Sequence, residues 1–142
     1  MRSVLAKRPS KRSAAFWIVP ENDARQCSLI APALPVKFLS TADPDLTVEF
    51  ILDTGFTGFL ASPIEIVEKL NFPFLHKIPA QLADGSFIEV AVHVGNILWL
   101  DAELEVRILA TGERPLLGTA LLDGCEMIVQ FREEGSVALI AL

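Results

Sequence analysis

The stretch from Ile78 to Leu100 constrains the fold more than any other part of the chain: IPAQLA, then Asp84-Gly85, then SFIEVAVHVGNILWL. Two runs of alternating apolar residues joined by Asp-Gly read as a long β-hairpin, because both central residues of a tight two-residue turn need φ > 0. The neighbouring segments repeat the theme. Leu34–Ser40 alternates weakly and ends in the turn cluster Thr41-Ala-Asp-Pro-Asp45. Leu46–Leu52 is β-branched and apolar, Phe56–Ala61 continues as a second apolar segment, and Leu104–Leu109 sets Glu105 and Arg107 opposite Val106 and Ile108. Thr111–Pro115 turns the chain into Leu116-Leu117-Gly118 and a short helical piece, TALLDG. Met127–Phe131 and Ser136–Leu142 form a closing hairpin around Arg132-Glu-Glu-Gly135. One helix start stands out: Ser62 as N-cap, Pro63 at the first helical position and Glu65 completing a capping box, with Ile64, Val67 and Leu70 as the buried stripe. The expected class is all-β, a closed or sandwich-like sheet with one or two short helices.

Composition bounds what such a sheet can be. A chain of 142 residues fits one domain, and 51% hydrophobic residues supply a sizeable core, which excludes global disorder. No apolar run approaches the roughly 18 residues of a membrane-spanning helix, so no membrane partner is expected. The formal charge of −6 is uneven: Arg2, Lys7, Arg8, Lys11 and Arg12 precede the first acid, Glu21. The remainder is strongly acidic and repels phosphate backbones, which argues against nucleic-acid binding. Residues 1–28 read as a basic, flexible extension and residues 29–142 as the domain. The apolar stretch Ala14–Val19 is shorter than the roughly 7–15 residues of a secretory leader, so a cytoplasmic protein is expected. Cys27 and Cys125 fit either one bridge or, as the plainer reading for a cytosolic protein, two reduced thiols, and with no His or Cys at ligand spacing a metal site is unsupported.

Asp53-Thr54-Gly55 carries the chemistry. It follows the apolar strand Leu46–Leu52, an odd place for a carboxylate, since an unpaired charge at a buried strand end is costly. On these three residues alone, Asp53 reads first as the cap of a turn, as Asp-x-Gly often is. Other candidates are weaker. His76 and His93 lie on different elements with no serine nucleophile motif nearby. Glu133-Glu134 reads as a solvated turn, Trp99 and Phe59 as core or interface residues, and no Gly-rich phosphate loop is present.

The order of these features changes the reading of Asp53. Strand, Asp53-Thr54-Gly55, apolar segment, helix, hairpin around Gly85, then Leu116-Leu117-Gly118 about 60 residues on: over roughly residues 33–131 this resembles a retropepsin-like aspartic protease. It is similar to short prokaryotic members with the form Asp-Thr-Gly-Phe-x-Gly, and Gly118-Thr-Ala-Leu-Leu122 resembles the segment after the second motif of retroviral members. The resemblance implies a closed acid-protease barrel and a homodimeric endopeptidase, because one chain supplies one carboxylate where the chemistry uses two. It implies Asp53 as the catalytic residue, facing its copy across a two-fold axis, with no metal or organic cofactor. Thr54, Gly55, Leu116, Leu117 and Gly118 would support that loop. The hairpin Ala80–Gly95 would be a flap over an extended peptide, with Asp84, Gly85 and Ser86 at its tip and Thr57 as a further substrate contact. Phe56 stands where retroviral members place a small residue beside the substrate. The alternative is a protease-fold peptide-binding or scaffold module without turnover.

Overall fold

The computed structural model describes residues 16–18, 32–82, 84–132 and 136–142. Along them run strands β1 (Phe16–Ile18), β2 (Ala33–Phe38), β3 (Thr47–Leu52) and β4 (Leu60–Ser62), and helix α1 (Ile64–Leu70). There follow β5 (Phe74–Gln81), β6 (Phe87–Trp99), β7 (Ala102–Ala110), β8 (Leu116–Leu117), a 3-10 turn (Thr119–Leu121), β9 (Cys125–Val129) and β10 (Val137–Ala141). The expected all-β class with short helical pieces is what the chain adopts. Among the described residues, no helix is long and apolar enough to cross a membrane.

The 13-residue strand β6 is the spine. Its first half pairs with β5 and its second half with β7, while Ile97 and Leu98 also pair with Phe38 and Lys37 of β2. That last pairing closes the order β2-β3-β8-β4-β7-β6 into a ring and leaves β5 attached through β6 as a projecting hairpin. The barrel is filled by large side chains with almost no exposure, among them Phe38, Phe50, Leu60, Ile97, Ile108 and Leu117. Phe38 packs against Phe50 and Phe72 with ring centroids 5.9 and 6.0 Å apart, both tilted, which is favourable for aromatic quadrupoles.

Turn chemistry departs from the sequence expectation at both ends of β6. At the hairpin tip, the Leu82 N–H donates to the Ser86 carbonyl and the Gly85 N–H to the Leu82 carbonyl. Gly85 has φ +85° and Asp84 does not have positive φ. This is the longer loop that ends in one left-handed residue, so the two-residue turn expected at Asp84-Gly85 is not formed there. A pair of consecutive positive φ values occurs instead at Leu100 (49°) and Asp101 (66°), joining β6 to β7 without a glycine. The helix also starts differently. Pro63 occupies the cap position with ψ 145° and makes no side-chain bond, while Ser62 ends strand β4. The Ser62 hydroxyl is fully buried with no hydrogen-bond partner among the described residues, so the expected capping box is absent. Ile64 is 53% exposed, and the buried face of α1 is Val67 and Leu70. At the other end, Asn71 takes φ 49° and the buried Ser40 hydroxyl donates to the Leu70 carbonyl at 2.7 Å, tying the helix to the end of β2.

A second sheet, β1-β10-β9, closes the chain. Val137 and Leu139 of β10 join the core cluster, and Met127 and Val129 of β9 pack against it. Phe16–Ile18, inside the segment read from sequence as a flexible extension, pairs antiparallel with Ala138–Ile140. The rest of residues 1–28, with Cys27 and Glu133-Glu134, lies outside the described residues.

Candidate active site

Strand β3 ends at Leu52, and the next seven residues form a loop that carries Asp53 out of the barrel wall. Four backbone hydrogen bonds lace this loop to the segment from Leu117 to Ala120. The Asp53 N–H donates to the Leu117 carbonyl (3.0 Å), and the Phe59 carbonyl accepts from the Gly118 N–H (2.9 Å). The Phe56 carbonyl accepts from the Thr119 N–H (2.9 Å), and the Gly58 carbonyl from the Ala120 N–H (3.2 Å). The Thr119 hydroxyl adds a longer bond to the Phe56 carbonyl at 3.4 Å. Strand β8 is what brings the two segments together: Leu116 and Leu117 pair parallel with Ile51 and Leu52 and antiparallel with Ala61 and Leu60.

Within this frame the Asp53 side chain is half-buried, and its Oδ1 accepts from the Gly55 N–H at 2.9 Å. Its second oxygen has no partner among the described residues. A carboxylate anchored by one oxygen and open at the other is placed to accept a proton from, or hydrogen-bond to, a group outside the chain. Thr54, Gly55 and Thr57 are exposed beside it, whereas Leu117 and Gly118 are buried and Leu116 is half-buried behind it. Gly118 has no room for a side chain: an added Cβ would collide outright with the Gly58 carbonyl oxygen and stand 2.7 Å from the Phe56 carbonyl oxygen.

Asp84, Gly85 and Ser86 lie at the exposed hairpin tip, and among the described residues no hydrogen bond joins them to the Asp53 loop. The Asp84 carboxylate accepts from both the hydroxyl and the N–H of Ser86, which hold its pKa below the ordinary carboxylate value, the hydroxyl contributing most. The underside of the hairpin is apolar. Val90 and Val92 are buried, and the same face continues outward through Ile78, Ala80 and Ile88, since Ile78 pairs with Val90 and Ala80 with Ile88. At its base, the His93 Nδ1 donates to the Phe72 carbonyl at 2.9 Å, and His76 is exposed. Cys125 is a free, half-buried thiol whose pKa is raised by that burial and then by Asp123. Among the described residues, no group of three or more His, Cys, Asp or Glu side chains is arranged to hold a metal ion. Of the seven loop residues, the sequence points to Asp53, Thr54, Gly55 and Thr57 as part of the site but not to Phe56, Gly58 or Phe59, and Thr119 is likewise not marked by it. Gly58, two residues after Phe56 in the Asp-Thr-Gly-Phe-x-Gly form, was the available signal.

No known protein-family profile and no curated protein matches the chain. Solved structures do. A retropepsin-like aspartic protease from Rickettsia conorii is similar over 100% of both chains, with a TM-score of 0.51 and 14% identity. EIAV protease, complexed with the inhibitor HBY-793, is similar over 66% of this chain and 86% of its own, with a TM-score of 0.50 and 16% identity. The chain therefore has the retropepsin-like fold, mostly β-strand with a closed barrel, a projecting hairpin and one short helix.

Proposed function

We propose that the chain is an aspartic endopeptidase that works as a homodimer, with Asp53 of each copy facing the other across a two-fold axis. The observation that carries this is the Asp53 carboxylate itself, held at one oxygen by the Gly55 N–H and free at the other, at the point of a retropepsin-like fold where the loop is most tightly laced. Two such carboxylates brought close cannot both ionise readily, so one keeps a proton and the other acts as base. The base takes a proton from a water between them, that water attacks the peptide carbonyl, and the protonated carboxyl delivers its proton to the leaving nitrogen. The β5–β6 hairpin closes over an extended peptide, which gains strand-like hydrogen bonds and loses water. Its apolar underside, Ile78, Ala80 and Ile88, favours apolar side chains next to the cleaved bond. Thr54 at the exposed loop faces the partner, and Leu116, Leu117 and Gly118 back the loop. The hairpin tip at Asp84, Gly85 and Ser86 and the exposed Thr57 contact substrate.

A proteome-derived peptide library tests the reading. New termini at defined sites, lost on Asp53→Asn, are expected. Retention of peptides without new termini would replace the enzyme by a peptide-binding module, and undiminished cleavage by Asp53→Asn would remove Asp53 from the chemistry.

A further inference from the structure

Phe56 follows the Asp-Thr-Gly triplet directly, and its ring lies against two glycines from different parts of the chain. A Cβ added at Gly58 would stand 2.6 Å from Phe56 Cζ and 2.8 Å from Cε2, and one added at Gly118 would stand 2.7 Å from Phe56 Cδ1. The ring thus bridges the slot that both glycines leave open. It sits on the joint where the Asp53 loop is laced to Gly118, Thr119 and Ala120. The need for such a bridge is physical: Gly55 and Gly58 give this short loop more backbone freedom than any other residue pair would. A large, stiff ring filling the slot removes that freedom without adding a polar group.

We propose that Phe56 is a positioning residue for Asp53, acting as a wedge between Gly58 and Gly118 that fixes the catalytic loop. The role rests on the protease reading for its effect on rate, but the wedge itself does not. The glycines make distinct demands. Neither has positive φ, so alanine suits the backbone at both. At Gly58 the obstacle is the Phe56 ring alone, the next neighbour being Leu109 Cδ1 at an ordinary 3.6 Å. At Gly118 the obstacle includes the backbone oxygens of Gly58 and Phe56, which no change of side chain removes.

The test combines urea unfolding, an amide titration and peptide kinetics on the full chain. Gly58→Ala lowers the urea midpoint in the wild-type background but is neutral or stabilising together with Phe56→Ala, whereas Gly118→Ala is harmful in both. If Gly58→Ala is equally harmful in both backgrounds, the ring is not the wedge. Should Phe56→Ala not fold, Phe56→Val, which also lacks the Cδ1, Cε2 and Cζ atoms that crowd the two glycines, carries the same comparison. Because the Gly55 N–H donates to Asp53 Oδ1, the Gly55 amide proton shift through the acid titration of Asp53 reads that bond without turnover. Its amplitude shrinks in Phe56→Ala and recovers in Phe56→Leu; an unchanged amplitude refutes positioning. In kinetics, Phe56→Ala lowers kcat about 100-fold with KM changed less than about two-fold, the scale of a small misplacement of a catalytic group, and Phe56→Leu restores most of it. A raised KM with kcat intact would make Phe56 a substrate contact instead. A wild-type chain that cleaves nothing would overturn the protease reading, while the glycine pair and the Gly55 amide would still decide the wedge.

Discussion

The C-terminal strand β10 offers the sharpest test of how this chain is built, because its sequence, free of charge, suits either a core or an interface between copies. Leu139 is 1% exposed, belongs to the main core cluster and lies in register with Met127 on one side and Trp17 on the other. Truncating a leucine buried this completely costs about 2–5 kcal/mol, from lost transfer energy and the cavity left behind. That is a large part of the roughly 5–15 kcal/mol that holds a domain together. With a urea dependence of about 2 kcal/mol per molar, Leu139→Ala lowers the unfolding midpoint by about 1–2.5 M. Leu142→Ala, at 89% exposure, is the control and stays within about 0.5 kcal/mol of wild type. Tryptophan fluorescence at two protein concentrations tenfold apart gives the reading. A core residue produces the same difference from wild type at both, whereas an interface residue loses its effect on dilution, by mass action. A Leu139→Ala midpoint no lower than that of Leu142→Ala, or a deficit that disappears on dilution, refutes the core assignment. Deleting residues 133–142 is by this argument a folding lesion, since it removes Val137 and Leu139 together.

Ser40→Ala removes the donor to the Leu70 carbonyl and leaves that carbonyl unpaired in a buried place, a loss of about 1–3 kcal/mol visible as a lower melting temperature; an unchanged one refutes the tie between helix and β2. At the hairpin tip, the ionised form of Asp84 is the one that Ser86 binds, so its ordering effect is complete above the ordinary carboxylate pKa and is lost as pH falls through the lowered folded value. Ser86→Ala therefore moves the Asp84 carboxyl titration upward in an NMR experiment, and a fixed midpoint contradicts the assignment. Cleavage by the proposed dimer falls more steeply than linearly on dilution below the dimer dissociation constant; full specific activity from a sedimenting monomer removes the shared site.

What the sequence disclosed was what is local. The period-two runs around Gly85 marked the hairpin, and Asp53-Thr54-Gly55 marked the loop, because each signal is a contiguous pattern acting over a few residues. Turn geometry was less legible, since Asp-Gly is compatible with more than one loop and the left-handed pair Leu100-Asp101 carries no glycine to announce it. Ser62-Pro63 misled for a related reason: local cap chemistry favoured Ser62 as the helix start, but pairing of β4 with β7 and β8 claimed Ser62 for a strand and turned its hydroxyl inward. The pairing of Phe16–Ile18 with β10 was hidden by distance, because nothing near residue 17 encodes a partner near residue 139. The site divides along the same line. The group that reacts in the proposed chemistry, Asp53, sits in a motif that can be read in three letters. What holds it comes from Leu117–Ala120 and from the ring of Phe56 lying across two glycines, contacts that exist only once β8 has slotted between β3 and β4. A chain can therefore keep its Asp-Thr-Gly and lose the loop's support through a substitution at residue 118, so the motif marks the proposed chemistry and the lacing behind it is a second, separate requirement.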